Sequence, residues 1–329
     1  MDFDQLFNSF SAIKVGVIGD VMLDTYWWGH VDRISPEAPV PVVALDKREL
    51  RIGGAGNVAL NLVALGAKVN IFSVIGEDAD GRQLDQLLTD SGIDTSYIIF
   101  SHERKTTNKV RVISRNQQMM RLDSETTTDL SEAVEAALFD RISDYLEIEQ
   151  PAVMIFEDYN KGVLTASIIS KLIALCKSKG VLTSVDPKKK NFFHYKGVDI
   201  FKPNLKEVKE GLNINLETVS LETMKEVHQL LHKELNHDIS FITLSEKGVF
   251  FQQDGKAGII PSHIRNIADV SGAGDTVIAV ASLVYAATGD AALFAKIANI
   301  AGGLVCEDVG TAAINKALLL AECKQLINP

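Results

Sequence analysis

The chain has 329 residues, 46% of them hydrophobic and 23% charged, the balance of a globular protein with room for one large α/β domain. Its 33 basic and 43 acidic side chains leave a formal net charge of −10, which argues against a nucleic-acid or anionic-membrane surface but leaves small anionic ligands open, since these need only a local basic pocket. Met1-Asp2-Phe3-Asp4 lacks the positive region of a secretory signal, no apolar run reaches bilayer length, and Cys176, Cys306 and Cys323 have no metal-ligand spacing, so a cytoplasmic protein is expected.

Residues 15–18 read as a short strand ending in Gly19-Asp20. Residues 54–65 read as a helix with Val58, Leu62 and Leu65 apolar, 69–75 as a strand and 80–89 as a helix. Residues 152–156, 181–185 and 239–244 are further β-rich runs, with helical stretches at 165–179 and 221–235 between them and a buried helix at 277–287. Such alternation argues for a mainly parallel sheet covered by helices, with ligands at the carboxyl ends of the strands. Two segments break it. Residues 25–51 are β-rich and contain Trp27, Trp28 and the run Pro39-Val40-Pro41-Val42-Val43; residues 105–122 have alternating character. They could pair into a small separate sheet, a lid over the binding edge. With no repeat, low-complexity tract or linker, residues 1–329 are expected to form a single domain.

The most informative run is Asp269-Val270-Ser271-Gly272-Ala273-Gly274-Asp275-Thr276, which opens the buried helix. Two glycines flanking an alanine at a helix start leave backbone N–H groups bare, where the helix dipole also favours an anion. Asp275 sits in the first turn of that helix. An anion cradle beside a potential general base is what phosphoryl transfer to a hydroxyl needs. The bland alternative is a glycine turn with an acidic first-turn residue. Earlier in the chain, Gly53-Gly54-Ala55-Gly56-Asn57-Val58-Ala59 contains a match to the dinucleotide fingerprint (Gly54, Gly56 and Ala59, with Glu77 about twenty residues on), but residues 47–51 are not the buried strand that NAD binding requires. The glycines could instead let a sugar approach the backbone, with Asn57 bonding its hydroxyls. Asp20 and Asp24 bracket the end of the first strand, as ligand residues or as a solvated turn. Asp158-Tyr159-Asn160-Lys161-Gly162 and Asp186-Pro187-Lys188-Lys189-Lys190 each pair an acid with a lysine at the ligand edge; with Arg121 these lysines could bind a substrate phosphate. Pro203-Asn204-Leu205-Lys206-Glu207 is either a helix-capping pair or a hold on nucleotide phosphates and hydrated Mg²⁺. Thr243-Leu244-Ser245-Glu246-Lys247-Gly248 ends a strand in a polar turn suited to a nucleotide contact.

In order and rough spacing these clusters resemble the ribokinase-like (PfkB) carbohydrate kinases, over essentially the whole chain. Further runs are similar to one subgroup, the D-glycero-β-D-manno-heptose 7-phosphate kinases of ADP- and GDP-heptose synthesis: residues 19–24, Ser35-Pro36-Glu37-Ala38-Pro39-Val40-Pro41-Val42, Ser114-Arg115-Asn116-Gln117-Gln118 with Arg121-Leu122-Asp123, and Asp158-Tyr159 with Lys161-Gly162. The resemblance implies a three-layer α/β/α sandwich with a β-sheet lid, a homodimer through the lid, and transfer of the ATP γ-phosphoryl group to the anomeric hydroxyl of heptose 7-phosphate. It implies Asp275 as base, with the amides of Gly272, Ala273 and Gly274 holding the transferring charge. Asp24, Gly53, Gly54, Asn57, Lys161 and Asp186 would hold the sugar, with Arg121 and Lys188 near its phosphate. Asn204 and Glu207 would organise Mg²⁺ and the phosphates, Glu207 through water, while Thr243, Ser245, Gly248 and Asn299 would line the nucleotide. A monovalent cation such as K⁺ would sit near Asp269, Ser271 and carbonyls around Gly310. Glu157 departs from the family, standing where relatives more often carry a small residue before the Asp-Tyr; Val270 replaces a threonine. Many relatives continue into a nucleotidyltransferase whose H-x-G-H signature is absent here, so either the kinase stands alone or the sequence is a piece of a longer chain. The alternatives are a PfkB kinase for another sugar and a non-catalytic sugar or nucleotide sensor, the latter having no need of Asp275.

Overall fold

In the computed structural model, which describes residues 2–115, 117–263 and 265–327, the alternation of strand and helix builds one eight-stranded sheet with helices on both faces. The first half of the chain runs α1 (Phe3–Ser9), β1 (Lys14–Gly19), β2 (Val21–Ile34), β3 (Pro41–Gly54), α2 (Ala55–Leu65), β4 (Lys68–Phe72), β5 (Val74–Gly76), α3 (Ala79–Asp90), β6 (Ile99–Ser101), β7 (Thr107–Ser114), β8 (Gln117–Ser124) and α4 (Glu132–Ile148). The second half runs β9 (Val153–Glu157), α5 (Ala166–Ser178), β10 (Leu182–Asp186), β11 (Ile200–Phe201), α6 (Leu205–Leu212), α7 (Leu221–Leu235), β12 (Ile239–Thr243), β13 (Val249–Gln253), β14 (Lys256–Ile260), α8 (Ala273–Thr288), α9 (Ala291–Val305) and α10 (Lys316–Leu326).

The central sheet has the order β14-β13-β12-β11-β10-β9-β1-β4; its pairs are parallel from β4 to β12 and antiparallel beyond. Side-chain alternation sorts each strand onto two cores. In β9, Val153 and Ile155 join Leu62, Ile278 and Ile297 on one face, while Met154 and Phe156 join Ile142, Ile169 and Leu231 on the other. The expected single strand over 69–75 is two strands in two sheets. Ser73 separates them: its hydroxyl donates to the Gly19 carbonyl at 2.6 Å and its carbonyl accepts from Ile99 N–H at 2.9 Å, so β5 turns away to pair with β6.

Residues 25–51 and 105–122, apart from Asn116, which lies outside the described residues, fall in a second sheet of order β3-β2-β7-β8. Its base is anchored in the main core by Val21, Leu23 and Ile52. Its far half projects, and every residue of the edge strand β8 is exposed. Trp27 and Trp28 are half-buried rather than open to solvent, because Arg48 covers the ring of Trp27 and Trp28 stacks on Tyr26. Val42 and Val43 are likewise half-buried; the exposed apolar side chains of this sheet include Ile34, Val40, Leu45, Met119, Met120 and Leu122.

At the opposite edge, α7 and the turn into β12 bring His228, His232 and His237 together, with ring centroids 5.5 to 5.7 Å apart. The Ser240 hydroxyl bridges His228 Nδ1 and His237 Nε2 at 2.9 and 2.6 Å. Burial, reinforced by the neighbouring rings, pushes His228 down to about 4 and His237 to about 3. The folded state therefore holds neutral rings that the unfolded chain would protonate near 6.5. Stability from this cluster is complete above that pH and drains as pH falls toward about 4, by up to about 1.4 kcal/mol per pH unit for the enclosed His237. Urea unfolding at pH 7 and pH 5 checks this. The drop in midpoint is expected to be smaller in His237→Gln than in the wild type, and equal drops would remove the cluster as its source.

Candidate active site

The carboxyl ends of β1, β9 and β10 and the start of α8 meet at one place, and Asp275 lies at its centre, 3% exposed. Asn57, in the first turn of α2, donates from Nδ2 to Asp275 Oδ2 at 2.8 Å. Tyr159, in the loop after β9, donates its hydroxyl to Oδ1 at 2.7 Å. Burial pushes the Asp275 carboxyl up to about 6 against these two hydrogen bonds, which favour its charged form. The sequence alone does not reveal this role for Tyr159, since a tyrosine at a strand end carries no pattern that distinguishes it from core.

The cradle forms as the glycines suggest. Gly272 caps α8 with φ 78°, and the N–H groups of Gly272 and Gly274 have no partner among the described residues. Ala273 is less available than expected, because its N–H already donates to the Val270 carbonyl at 3.3 Å. A Cβ at Gly274 would lie 3.5 Å from Asp186 Oδ2 and 3.7 Å from Lys202 Nζ, so the cradle sits directly over a buried ion pair.

That pair belongs to a larger cluster. Asp186 meets Lys202 at 2.7 Å and Lys188 at 3.1 Å, and Lys188 also meets Glu207 at 2.7 Å. Burial alone would raise Asp186, but Lys188 and Lys202 outweigh it and hold the carboxyl below its ordinary range. Burial would lower Lys188, but its direct partners Asp186 and Glu207 hold it well above the usual lysine range. Oxygens of Glu157, Asp186 and Asp275 lie within 4.8 Å of one another. Sequence reasoning missed Lys202, fully enclosed one residue past β11, because a lone lysine between apolar residues reads as surface. Lys188 stands among carboxylates at the centre, its Nζ 5.4 Å from the Tyr159 ring centroid, with Asp186 and Glu207 as its direct partners and apart from Arg121 and Lys161.

Those other binders lie toward the lid. Lys161 pairs with Glu125 at 2.7 Å, and Arg121, on exposed β8, chelates Asp123 at 2.8 and 2.9 Å. Between them is Lys109, which the sequence reading did not select; burial lowers its amine, Asp24 opposes, and repulsion from Lys161 and Arg121 lowers it further. Asp24 in β2 accepts from the guanidinium of Arg111 on β7, another residue not foreseen, and a Cβ on Gly53 would meet Asp24 Oδ2 at 2.3 Å. Gly54, at φ 60°, passes the Asp20 carbonyl so closely that only glycine fits. Asp20 itself is structural: it accepts the N–H groups of Tyr159, Lys161 and Val163 at 2.9, 3.0 and 3.1 Å and so shapes the loop that presents Tyr159. The strand before the Gly53–Gly56 cluster is lid strand β3, so the dinucleotide reading lacks its buried parallel strand.

On the far side of the cradle, Asn204 and Glu207 form a reciprocal cap on α6, with both bonds at 2.8 Å. Thr243 ends β12 and bridges to Asn204; Ser245 and Gly248 form the next turn, where a Cβ on Gly248 would strike the Ile260 carbonyl. Asn299, on α9, donates to the Pro261 carbonyl at 2.8 Å. Asp269 accepts from Ser271 N–H and hydroxyl at 3.0 and 2.9 Å and from Gly310 N–H at 2.9 Å, hydrogen bonds that outweigh burial and hold its carboxyl low. Arg51 of β3 donates to the Val309 and Thr311 carbonyls flanking Gly310.

A family model, pfkB family carbohydrate kinase, matches residues 12–318. The chain is 38% identical over 322 residues to the bifunctional protein HldE of Geotalea uraniireducens, covering 98% of this chain and 65% of that protein; it thus spans less than two thirds of that relative's length. Among solved structures, phosphofructokinase-2 from Escherichia coli in complex with potassium superposes with a TM-score of 0.81 at 17% identity, covering 96% of this chain and all of that one. Arabidopsis thaliana ribokinase complexed with ribose and ATP superposes with a TM-score of 0.72 at 17% identity, covering 94% and 98%. At such identities these two establish the ribokinase-like fold.

Proposed function

This chain belongs to the pfkB family of carbohydrate kinases, and we propose that it transfers the γ-phosphoryl group of ATP to the anomeric hydroxyl of D-glycero-D-manno-heptose 7-phosphate, giving heptose 1,7-bisphosphate and ADP. The observation that carries the reading is Asp275, enclosed between Asn57 and Tyr159 one residue beyond the open amide of Gly274. The acceptor hydroxyl gives its proton to Asp275 as its oxygen attacks the γ-phosphorus, and the bond to the ADP oxygen breaks. The amides of Gly272 and Gly274 hold the charge on the transferring oxygens, with the Lys188 ammonium close by. The acceptor's identity rests on the motifs quoted from the sequence and on the Lys109, Lys161 and Arg121 cluster, which suits a phosphate at the far end of the sugar. A sugar without a phosphate has no use for that cluster, which is why another sugar is the second reading. A silent sensor has no use for Asp275.

An oxygen-only donor set suits Mg²⁺. The Glu207 oxygens are each engaged once, by Asn204 N–H and by Lys188, and each keeps a lone pair for a metal-bound water. Mg²⁺ arriving with ATP would neutralise charge on its phosphates. A K⁺ ion would be held by Asp269, Ser271 and the carbonyls around Gly310.

Asp275→Asn is expected to lower turnover by about 10²–10⁴ with the fold intact. Since Asp275 must be ionised to accept the proton, kcat/KM of the wild type is expected to fall about tenfold per unit as pH drops below about 6. Tyr159→Phe removes a hydrogen bond to the charged form and should move that break upward. An ADP-release assay from pH 5 to 8, with Mg²⁺ and K⁺ varied, reads all three effects. Near-wild-type turnover by Asp275→Asn would remove it from the mechanism.

The same assay with heptose and heptose 7-phosphate tests the remote phosphate. Lys161→Ala and Lys109→Ala are expected to raise KM for the phosphorylated sugar and to lower kcat as well, because remote binding aligns the reacting end. Equal kcat/KM for the two sugars would favour the second reading.

We also propose a homodimer through the lid. The open edge of β8, with Met119, Met120 and Leu122 exposed along it, is a surface that a two-fold pairing would cover. Sedimentation at micromolar concentration should show a dimer, and Met120→Lys should shift it toward monomer. A fully active wild-type monomer would show that the lid works unpaired.

A further inference from the structure

One group in the carboxylate cluster has no part in the reaction as written. Glu157 ends β9, the strand between β1 and β10 at the middle of the sheet. It is fully enclosed, and neither carboxylate oxygen has a hydrogen-bond partner among the described residues. An oxygen of Glu157 lies within 4.8 Å of one on Asp275 and one on Asp186. A buried carboxyl without partners is destabilising, and a small or apolar side chain at this place would avoid the cost.

The neighbours decide its state. Lys202 is committed to Asp186, and Lys188 is shared between Asp186 and Glu207. Asp275 has to be ionised to act. Neither lysine pairs directly with Glu157, and burial beside Asp186 and Asp275 raises its carboxyl well above the ordinary glutamate range against the weaker pull of Lys188 and Lys202, which favours the protonated form. A protonated carboxyl is one donor with acceptor capacity to spare. Asp275 faces the hydroxyl that reacts. With hydrogen bonds of about 2.5–3.0 Å at each end, two hydroxyls on adjacent carbons can span the gap from Asp275 to Glu157.

We propose that Glu157 is a specificity-determining residue of the acceptor pocket: its two unpartnered oxygens, beside Asp275, engage the hydroxyl next to the one that reacts, so that the site selects a vicinal diol. The inference rests on Asp275 as the base facing the acceptor. A divalent ion among the three carboxylates is the rival occupant. It would require Glu157 and Asp275 both ionised, and it would take the lone pairs that Asp275 needs for the acceptor proton.

The test compares heptose 7-phosphate with its 2-deoxy counterpart, which lacks the hydroxyl beside the anomeric centre. It uses the wild type, Glu157→Gln and Glu157→Ala, with thermal denaturation to confirm that each variant folds. The wild type is expected to prefer the full sugar by about tenfold or more in kcat/KM. Glutamine, which also donates and accepts, should keep that preference to within about threefold, whereas alanine should bring the ratio close to unity. A ratio unchanged in Glu157→Ala overturns the proposal, and so does loss of the preference in Glu157→Gln, which would mean that a charged carboxylate is at work. Mn²⁺ titrated without nucleotide, followed by electron paramagnetic resonance, addresses the rival: tight binding that vanishes in Glu157→Ala would overturn the proposal in favour of a metal site. If heptose 7-phosphate is not phosphorylated but another sugar phosphate is, the heptose reading fails alone. Glu157 is then judged by the same ratio on that sugar and its analogue without the adjacent hydroxyl. If no sugar is phosphorylated, the kinase reading fails and this proposal with it.

Discussion

The site depends on how much negative charge the protein can bury at one point. Four carboxylates, from Glu157, Asp186, Glu207 and Asp275, gather where three strands end, and only two lysines share that space. Charges taken out of water are tolerated when paired and costly when not. The lysines pair directly with Asp186 and Glu207, and Asp275 is kept ionisable mainly by its two neutral hydrogen bonds, with a smaller contribution from the Lys188 charge. That is a useful state for a base: charged near neutral pH, yet with a proton affinity above that of a solvated aspartate.

Glycine is the other requirement, for space and for backbone conformation together, since Gly54, Gly248 and Gly272 have φ of 60°, 94° and 78°. At Gly54 and Gly248 a Cβ would fall on a neighbouring carbonyl, and at Gly53 it would fall on the carboxylate of Asp24. The lid strand can pass Asp20 and Asp24, and the turn after β12 can pass Ile260, only because these positions carry no side chain.

Much of this was legible in the sequence. Strand and helix alternation placed β1, β9, β10, β12, α5 and α7 within a residue or two, because short apolar runs bounded by turn residues mark the buried strands and a 3.6-residue period marks the two helices. It did not find α9, where Ala295, Ile297, Ala298, Ile300 and Ala301 are all enclosed and no polar face sets the segment apart; α8, also largely enclosed, was marked instead by the glycine run at its start. Position 73 failed for another reason, since nothing local says that one serine hydroxyl will be spent on the carbonyl of Gly19. Within the site, residues in motifs were found and residues that act through a distant partner were not. Lys202, Lys109 and Arg111 owe their roles to Asp186, Lys161 and Asp24, which lie 16, 52 and 87 positions away along the chain.

The grip of Arg51 on the carbonyls beside Gly310 has a consequence of its own. Arg51 belongs to the lid, while Gly310 is held by Asp269, three residues before the cradle. Lid, loop and cradle are therefore links of one mechanical chain, and displacing the first carries the last. On the proposed reading, an acceptor that settles the lid would also settle the amides of the cradle. Linkage is symmetric, so whatever factor the sugar contributes to nucleotide affinity, the nucleotide returns to the sugar. The two substrates would then report on each other across a distance that neither spans, and order of addition would matter to the rate of assembly but not to the stability of the ternary complex.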